Sequence, residues 1–287
     1  MPTTAQQALY DLNNHPVPQY FDTAAGAWVQ SSTQTPIPQG VMYALAGAAG
    51  HIPNVSSVTA FGYSPATANV TNVNLWEPLV VWNLPSSPVG IEVLSDSASD
   101  GIAGTGARKI ILIGVGPAFA AQTEIITMNG TTVVASSNTW LAINTAIVFD
   151  DPTGFGSNGT NVGNISARIT GAGALQGYIS AGTGISHHGR YTVPAGFTLL
   201  AFNFFEVAAK TGGSVGTASL DAIFITPNGL RFKGLPQTCQ TGAVSAVTLP
   251  TVPFAVTAGT TLMFRINNVS VAGIDISAGF TGLQIPA

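Results

Sequence analysis

From about residue 53 onward the apolar residues come in short runs, rich in Val, Ile and Thr and bounded by Gly, Pro, Asn and Ser. That punctuation predicts strands, with almost no helix. Over 53–184 the expected strands are Ser57–Tyr63, Leu79–Asn83, Gly90–Leu94, Ala107–Val115, Gln122–Met128, Thr131–Ala135, Trp140–Phe149 and Asn164–Thr170. Asn129-Gly130 tolerates the positive φ angles of a type I′ turn, so a hairpin is expected to join the strands on either side of it.

Over 185–287 strands are expected at Gly189–Val193, Phe197–Val207, Ser219–Thr226, Leu230–Lys233, Ala246–Leu249, Thr260–Asn267 and Val269–Thr281. Thr260–Asn267 alternates, with Leu262, Phe264 and Ile266 on one face and Met263 and Arg265 on the other, the period of a half-buried strand. Val193-Pro-Ala-Gly and Val256-Thr-Ala-Gly each lead into an apolar strand and read as a reused turn. Many short strands in so few residues suit a sandwich or jelly roll. The expected fold is all-β: two antiparallel β-sandwich, jelly-roll-like domains, 53–184 and 185–287, preceded by an extended N-terminal arm, 1–52.

The arm opens on a short expected helix at Thr4–Leu12 and is then broken by Pro16, Pro18, Pro36 and Pro38. Tyr10, Tyr20, Phe21, Trp28 and Tyr43 are spaced through it with almost no charge, which makes them the candidate interface residues. An arm that cannot build a core must bury such rings elsewhere, on a partner or on its own domain.

Charge changes the picture. Eight basic and twelve acidic side chains in 287 residues amount to 7%, against about 25% in an ordinary soluble chain. The first basic residue is Arg108, preceded only by Asp11, Asp22, Glu77, Glu92, Asp96 and Asp100. A spanning helix needs about 20 apolar residues, and Val41–Gly50 and Lys109–Ala121 both fall short. The opening MPTTAQQALYDLNN has neither a basic start nor an apolar core, so no signal peptide and no membrane partner are expected. A net charge of −4 without a basic run argues against nucleic acid. Surfaces normally rely on charge for solubility, and interface cores are depleted of it. Extensive self-association is therefore the expectation, set against a solvated Thr/Ser/Asn surface on a monomer.

Candidate chemistry is sparse. Cys239 is the single cysteine, so no intrachain disulfide is expected. Sequons at Asn54, Asn69, Asn129, Asn158, Asn164 and Asn268 read as by-products of Asn- and Thr-rich turns. His187-His188 lies between the two β stretches: neighbours on a strand face opposite ways, whereas one His per subunit could converge on an ion at a threefold axis. The alternative is a linker pair bonded to backbone. Asp150-Asp151-Pro152 reads as a turn with an Asx-type hydrogen bond rather than a catalytic pair. Gly171-Ala-Gly-Ala-Leu-Gln-Gly177 is one residue too long for a dinucleotide loop and no helix follows it. No catalytic, cofactor-binding or metal-binding residue is assigned, no cofactor is expected, and the chain is read as a non-enzyme.

Ser95-Asp-Ser-Ala-Ser-Asp100 followed by Ala103-Gly-Thr-Gly-Ala-Arg108-Lys-Ile-Ile-Leu-Ile-Gly resembles a block common in structural proteins of tailed bacteriophages of cyanophage and marine-phage type. The block continues through Glu124-Ile-Ile-Thr-Met-Asn-Gly-Thr-Thr132, Trp140-Leu-Ala-Ile-Asn144 and Asn158-Gly-Thr-Asn-Val-Gly-Asn-Ile165. Val58-Thr-Ala-Phe-Gly62 with Trp76 upstream, and Tyr191-Thr-Val-Pro-Ala-Gly196 with Val271 to Ile285 downstream, extend it over about residues 55–287. It departs at Gly114-Val-Gly-Pro-Ala-Phe119, where that family carries a polar, acidic loop, and at the arm. The resemblance implies a virion component without catalytic residues. In one form it is a homotrimeric capsid decoration or cement protein bound to the major capsid protein or other virion proteins. In the other it is a tail or fibre component for host attachment. A glycan depolymerase would instead need converging carboxylates in a groove.

Overall fold

The computed structural model describes residues 19–22, 27–30, 54–68, 70–149, 160–210, 215–241, 246–248 and 253–287. The chain divides into two units, Met1–Pro53 and Asn54–Ala287. In the first, β1 (Gln19–Asp22) pairs antiparallel with β2 (Ala27–Gln30), setting Tyr20 opposite Val29 and Phe21 opposite Trp28. Tyr10, Tyr43 and the expected helix at Thr4–Leu12 lie outside the described residues.

The second unit is all-β. Its strands are β3 (Ser56–Thr67), β4 (Val73–Asn74), β5 (Val89–Ser95), β6 (Lys109–Val115), β7 (Ala121–Thr127), β8 (Val134–Trp140), β9 (Ala142–Val148), β10 (Ile165–Ile169), β11 (Leu175–Ile179) and β12 (Arg190–Thr192). They continue with β13 (Phe197–Ala209), β14 (Thr217–Ile225), β15 (Arg231–Gln240), β16 (Ala246–Thr248), β17 (Phe254–Val256), β18 (Thr261–Val269) and β19 (Ile274–Pro286).

Two sheets share the largest core. One runs β12-β18-β14-β15 with β4 on β18, and the other runs β16-β13-β19-β3 with β17 also on β13. Counting β3, β12, β13, β14, β15, β17, β18 and β19 as strands one to eight, the sheets order 1-8-3-6 and 2-7-4-5. Alternation puts Leu262, Phe264 and Ile266 of β18 inward against Phe204 of β13 and Phe280 of β19. The expected phase of Thr260–Asn267 is therefore the observed one.

The chain between β4 and β12 builds a second pair of sheets, β11-β10-β5-β8 and β7-β6-β9, over their own core of Ile91, Ile110, Leu112, Trp140, Ile143 and Ile165. A third cluster joins the two bodies: Trp76, Trp82, Val115 and Leu141 close over Ile223, Ile225 and Met263 on the back of β14 and β18. β3 and β4 pair with β19 and β18, so strand pairing crosses the division expected at residue 184.

Two local expectations fail. β7 and β8 do not form a hairpin: β7 pairs with β6 and β8 with β5. Gly130 does take positive φ, but its N–H donates to Asp100 O at 2.6 Å and its carbonyl accepts from Ser95 N–H at 2.9 Å. The turn is held by a third segment and passes the chain from one sheet to the other. Leu79–Asn83 is not a strand either. Leu79 has φ +50°, and Trp82 N–H is satisfied by the Asn74 side chain at 2.7 Å rather than by a ladder. Conversely, β11 begins within the Gly171–Gly177 stretch, where no strand is expected from the sequence.

Candidate functional site

Polar side chains concentrate at a few places in the body, and the first centres on Asp100. Its carboxylate is fully buried, a costly position unless its oxygens are bonded. Oδ1 accepts the N–H groups of Ala107 and Val162, each at 2.8 Å, while Oδ2 accepts Gly163 N–H at 2.8 Å and the Ser95 hydroxyl at 2.6 Å. A Cβ at residue 106 would lie 2.0 Å from Asp100 Oδ1, so this approach requires Gly106. Asp96 grips Asn164 through its backbone N–H at 2.8 Å and its amide at 2.7 Å, and Asn161 bonds Ser180 O at 2.7 Å and Gly184 N–H at 2.9 Å. Ser95, Gly106–Ala107 and Val162–Gly163 are thus drawn together around one carboxylate.

The second place is the junction around His187 and His188. The two rings have separate neighbours, although neither residue lies within a strand. His188 is buried against Trp76, centroids 5.6 Å apart, and its Nε2 accepts Tyr178 N–H at 2.9 Å. Burial first, and then the Arg190 charge, holds its pKa well below the usual histidine value, so it stays neutral. His187 stands edge-on to Phe61 and Tyr63 at 5.2 and 6.2 Å, with Nδ1 4.0 Å from Glu77 Oε1. The Ser180 hydroxyl donates to Glu77. Among the described residues no group of three or more His, Cys, Asp or Glu is placed to hold a metal ion.

Beside His188, Arg190 is 2% exposed and sits between Trp82 and Trp76. It donates to Gln176 O, its Nε has no partner, and no carboxylate among the described residues pairs with it. Burial pulls its pKa down to about 9.

The first two amides of the glycine-rich stretch are taken up by Glu92 of β5. Gly171 and Ala172 donate to Glu92 at 3.0 and 2.9 Å, and Arg168 Nε donates to it at 2.7 Å. The two backbone bonds, Ala172 first, hold Glu92 below the ordinary carboxylate range. Asp150 and Asp151 lie outside the described residues. Cys239 is buried beneath Ala218 O, and burial together with Glu206 pushes its thiol up to about 12.

Neither Arg190 between its tryptophans nor the Asp100 hub has a signature in local pattern. Glu206 does: it occupies the inward phase of β13, between Phe204 and Ala208. The arm residues Tyr20, Phe21 and Trp28 are brought onto one two-stranded sheet.

No family model and no curated protein matches the chain. Among solved structures it is similar to infectious bursal virus derived T=1 particles, at 9% identity over 81% of this chain and 78% of that one, TM-score 0.12. It is likewise similar to the infectious bursal disease virus VP2 subviral particle, at 9% identity over 81% of each chain, TM-score 0.12. At that TM-score the likeness carries no argument about fold or function.

Proposed function

We propose that this chain is a structural subunit of a tailed-phage virion, a homotrimeric capsid decoration protein that binds and stabilises the major capsid protein lattice. The observation that carries the reading is apolar surface left open on a chain with 7% charged residues: Ile125 is 50% exposed, and Phe61 and Ile185 38% each. Such surface gains about 25 cal/mol per Å² when covered, less the cost of ordering. The sheet order 1-8-3-6 and 2-7-4-5 supports reading the largest core as one jelly roll, with the second pair of sheets inserted between its first two strands. The resemblance around Asp100 supports the virion assignment, and the aromatic arm supplies the strap that docks on the capsid.

Deleting residues 1–52 tests it in infected cells. The truncated body is expected to fold and to be missing from purified particles, while the full chain is present at a copy number that scales with the capsid lattice. Incorporation of the truncation at the full-length level would overturn the strap. A copy number of a few per tail would favour the tail or fibre reading over decoration.

A further inference from the structure

The two sheets of the largest core treat their outer faces differently. The back of β14 and β18 is buried under Trp76, Trp82 and Leu141. The back of β3 and β13 presents Phe61 and Phe205, stacked at 6.2 Å with a 21° interplanar angle. The neighbouring sheet β7-β6-β9 adds a row. Ile125 pairs with Ile111, Ile111 with Ile147, and Ile147 bridges to Ile185, so four isoleucines stand side by side on one face. Ile110 and Leu112, in the opposite phase, are the buried ones. Ile185 and Phe61 line the same crevice, about 310 Å³ in volume, between β9 and β3. Ile125, Ile111, Ile147, Ile185, Phe61 and Phe205 thus form one band across two sheets. Single exposed apolar residues need no explanation, but a contiguous band does.

We infer that a second copy of this chain docks on this band. The inference rests on the reading of the protein as a self-associating subunit and names the surface used. None of the six side chains is ionic; the charged residue on the same face of β6 is Lys109, one position beyond Ile111 in its phase. A surface as poor in charge as this chain's own meets the band without stranding an ion. The area also fits. Three strands of seven residues in β7-β6-β9 project about 300 Å² at roughly 4.8 by 3.3 Å per residue, and the longer β3, β13 and β19 about 600 Å². A stable pair needs about 800 Å² per partner. Neither face reaches that alone; together they do. The crevice at their meeting point is the socket where a partner's side chain packs most tightly.

The test uses the full chain. Light scattering on a sizing column over a dilution series should show wild type as an oligomer, and Ile125→Lys with Ile185→Lys should weaken self-association at least about tenfold. Circular dichroism should remain that of wild type. In parallel, Ile185→Cys should react with a maleimide about tenfold more slowly in the oligomer than in the diluted subunit, native Cys239 being buried. A folded double variant that associates like wild type, or equal labelling rates in the two states, overturns the band as the contact and leaves self-association standing. A wild-type chain that stays monomeric throughout overturns both.

Discussion

The guanidinium carbon of Arg190 lies 4.5 Å from the centre of the Trp82 ring, with Trp76 at 4.9 Å. The cation therefore rests between two aromatic faces where an ion pair would be expected for a group so deeply buried. Desolvated cation–π contacts are worth about 2 kcal/mol or more, which offsets part of the desolvation that pulls its pKa to about 9. Arg190 lies at the junction of the two bodies, so the tryptophans that hold it also hold the inserted sheets to the back of β14 and β18.

Trp82→Ala is expected to cost about 3–5 kcal/mol, from lost burial and an uncovered cation together. Urea denaturation followed by circular dichroism measures it. Arg190→Met, which removes the charge and keeps an apolar stem, should cost clearly less. The reverse order would show that the guanidinium bonds matter more than the aromatic cover.

Asp100→Ala strands the N–H groups of Ala107, Val162 and Gly163 in the interior. Each unsatisfied group costs about 1–3 kcal/mol, so the loss should be roughly 3 kcal/mol or more. Limited proteolysis should cut first within 101–106 and 160–164, the segments released. Unchanged protease resistance would refute the hub.

Glu206 faces the core beside Cys239, with one carboxylate oxygen unpartnered. Burial first, with Asp221 adding, pushes its pKa up to about 7, against a hydrogen bond from Cys239 that opposes the shift. Asp221 is itself held by Lys233 at 3.0 Å and Arg265 at 3.3 Å. Between the unfolded value near 4.5 and about 7, the folded chain keeps a proton that the unfolded chain has lost. Stability therefore falls as pH rises through that window, by roughly 3 kcal/mol in all, and levels off above it. Glu206→Gln should flatten this part of a thermal-melt pH profile and raise Tm at pH 8.

Gly62→Ala places a Cβ 2.8 Å from Gly189 Cα and 2.9 Å from Leu75 O, where three backbones cross. Both contacts are main chain and cannot swing away. A loss of about 1–3 kcal/mol is expected, visible as a Tm several degrees lower. A Tm equal to wild type would mean that the crossing is looser than its geometry.

Much of the strand content was legible in advance because a period of two with Gly, Pro and Asn punctuation is a local signal. β18 shows this in which residues face the core between the two sheets, although its other face is not open as a half-buried strand's would be: Met263 is buried there with Trp76 and Trp82. The failures are equally physical. Asn129-Gly130 has the residues of a hairpin turn, yet the hydrogen bonds from Asp100 and Ser95 that hold it come from chain some thirty residues away. β11 carries no such local signal because Gly171 and Gly173 stand just before it and Gly177 within it; what makes it a strand is its pairing with the edge of β10. Of the candidate site residues, Tyr20, Phe21 and Trp28 share one small sheet, whereas the apolar band went unread because its members belong to strands far apart in the chain.

Alone, the order of residues determined that the chain from about residue 53 onward is dominated by strands, that the protein is poor in ionic groups and that it has a single thiol, since these follow from composition and from contacts between near neighbours. Only the folded chain decided which strands are partners, that pairing runs across residue 184, and that Asp100, Arg190 and the isoleucine row have the surroundings they do. Those properties depend on segments distant in sequence meeting in space, and nothing in a local pattern encodes which distant segment will arrive.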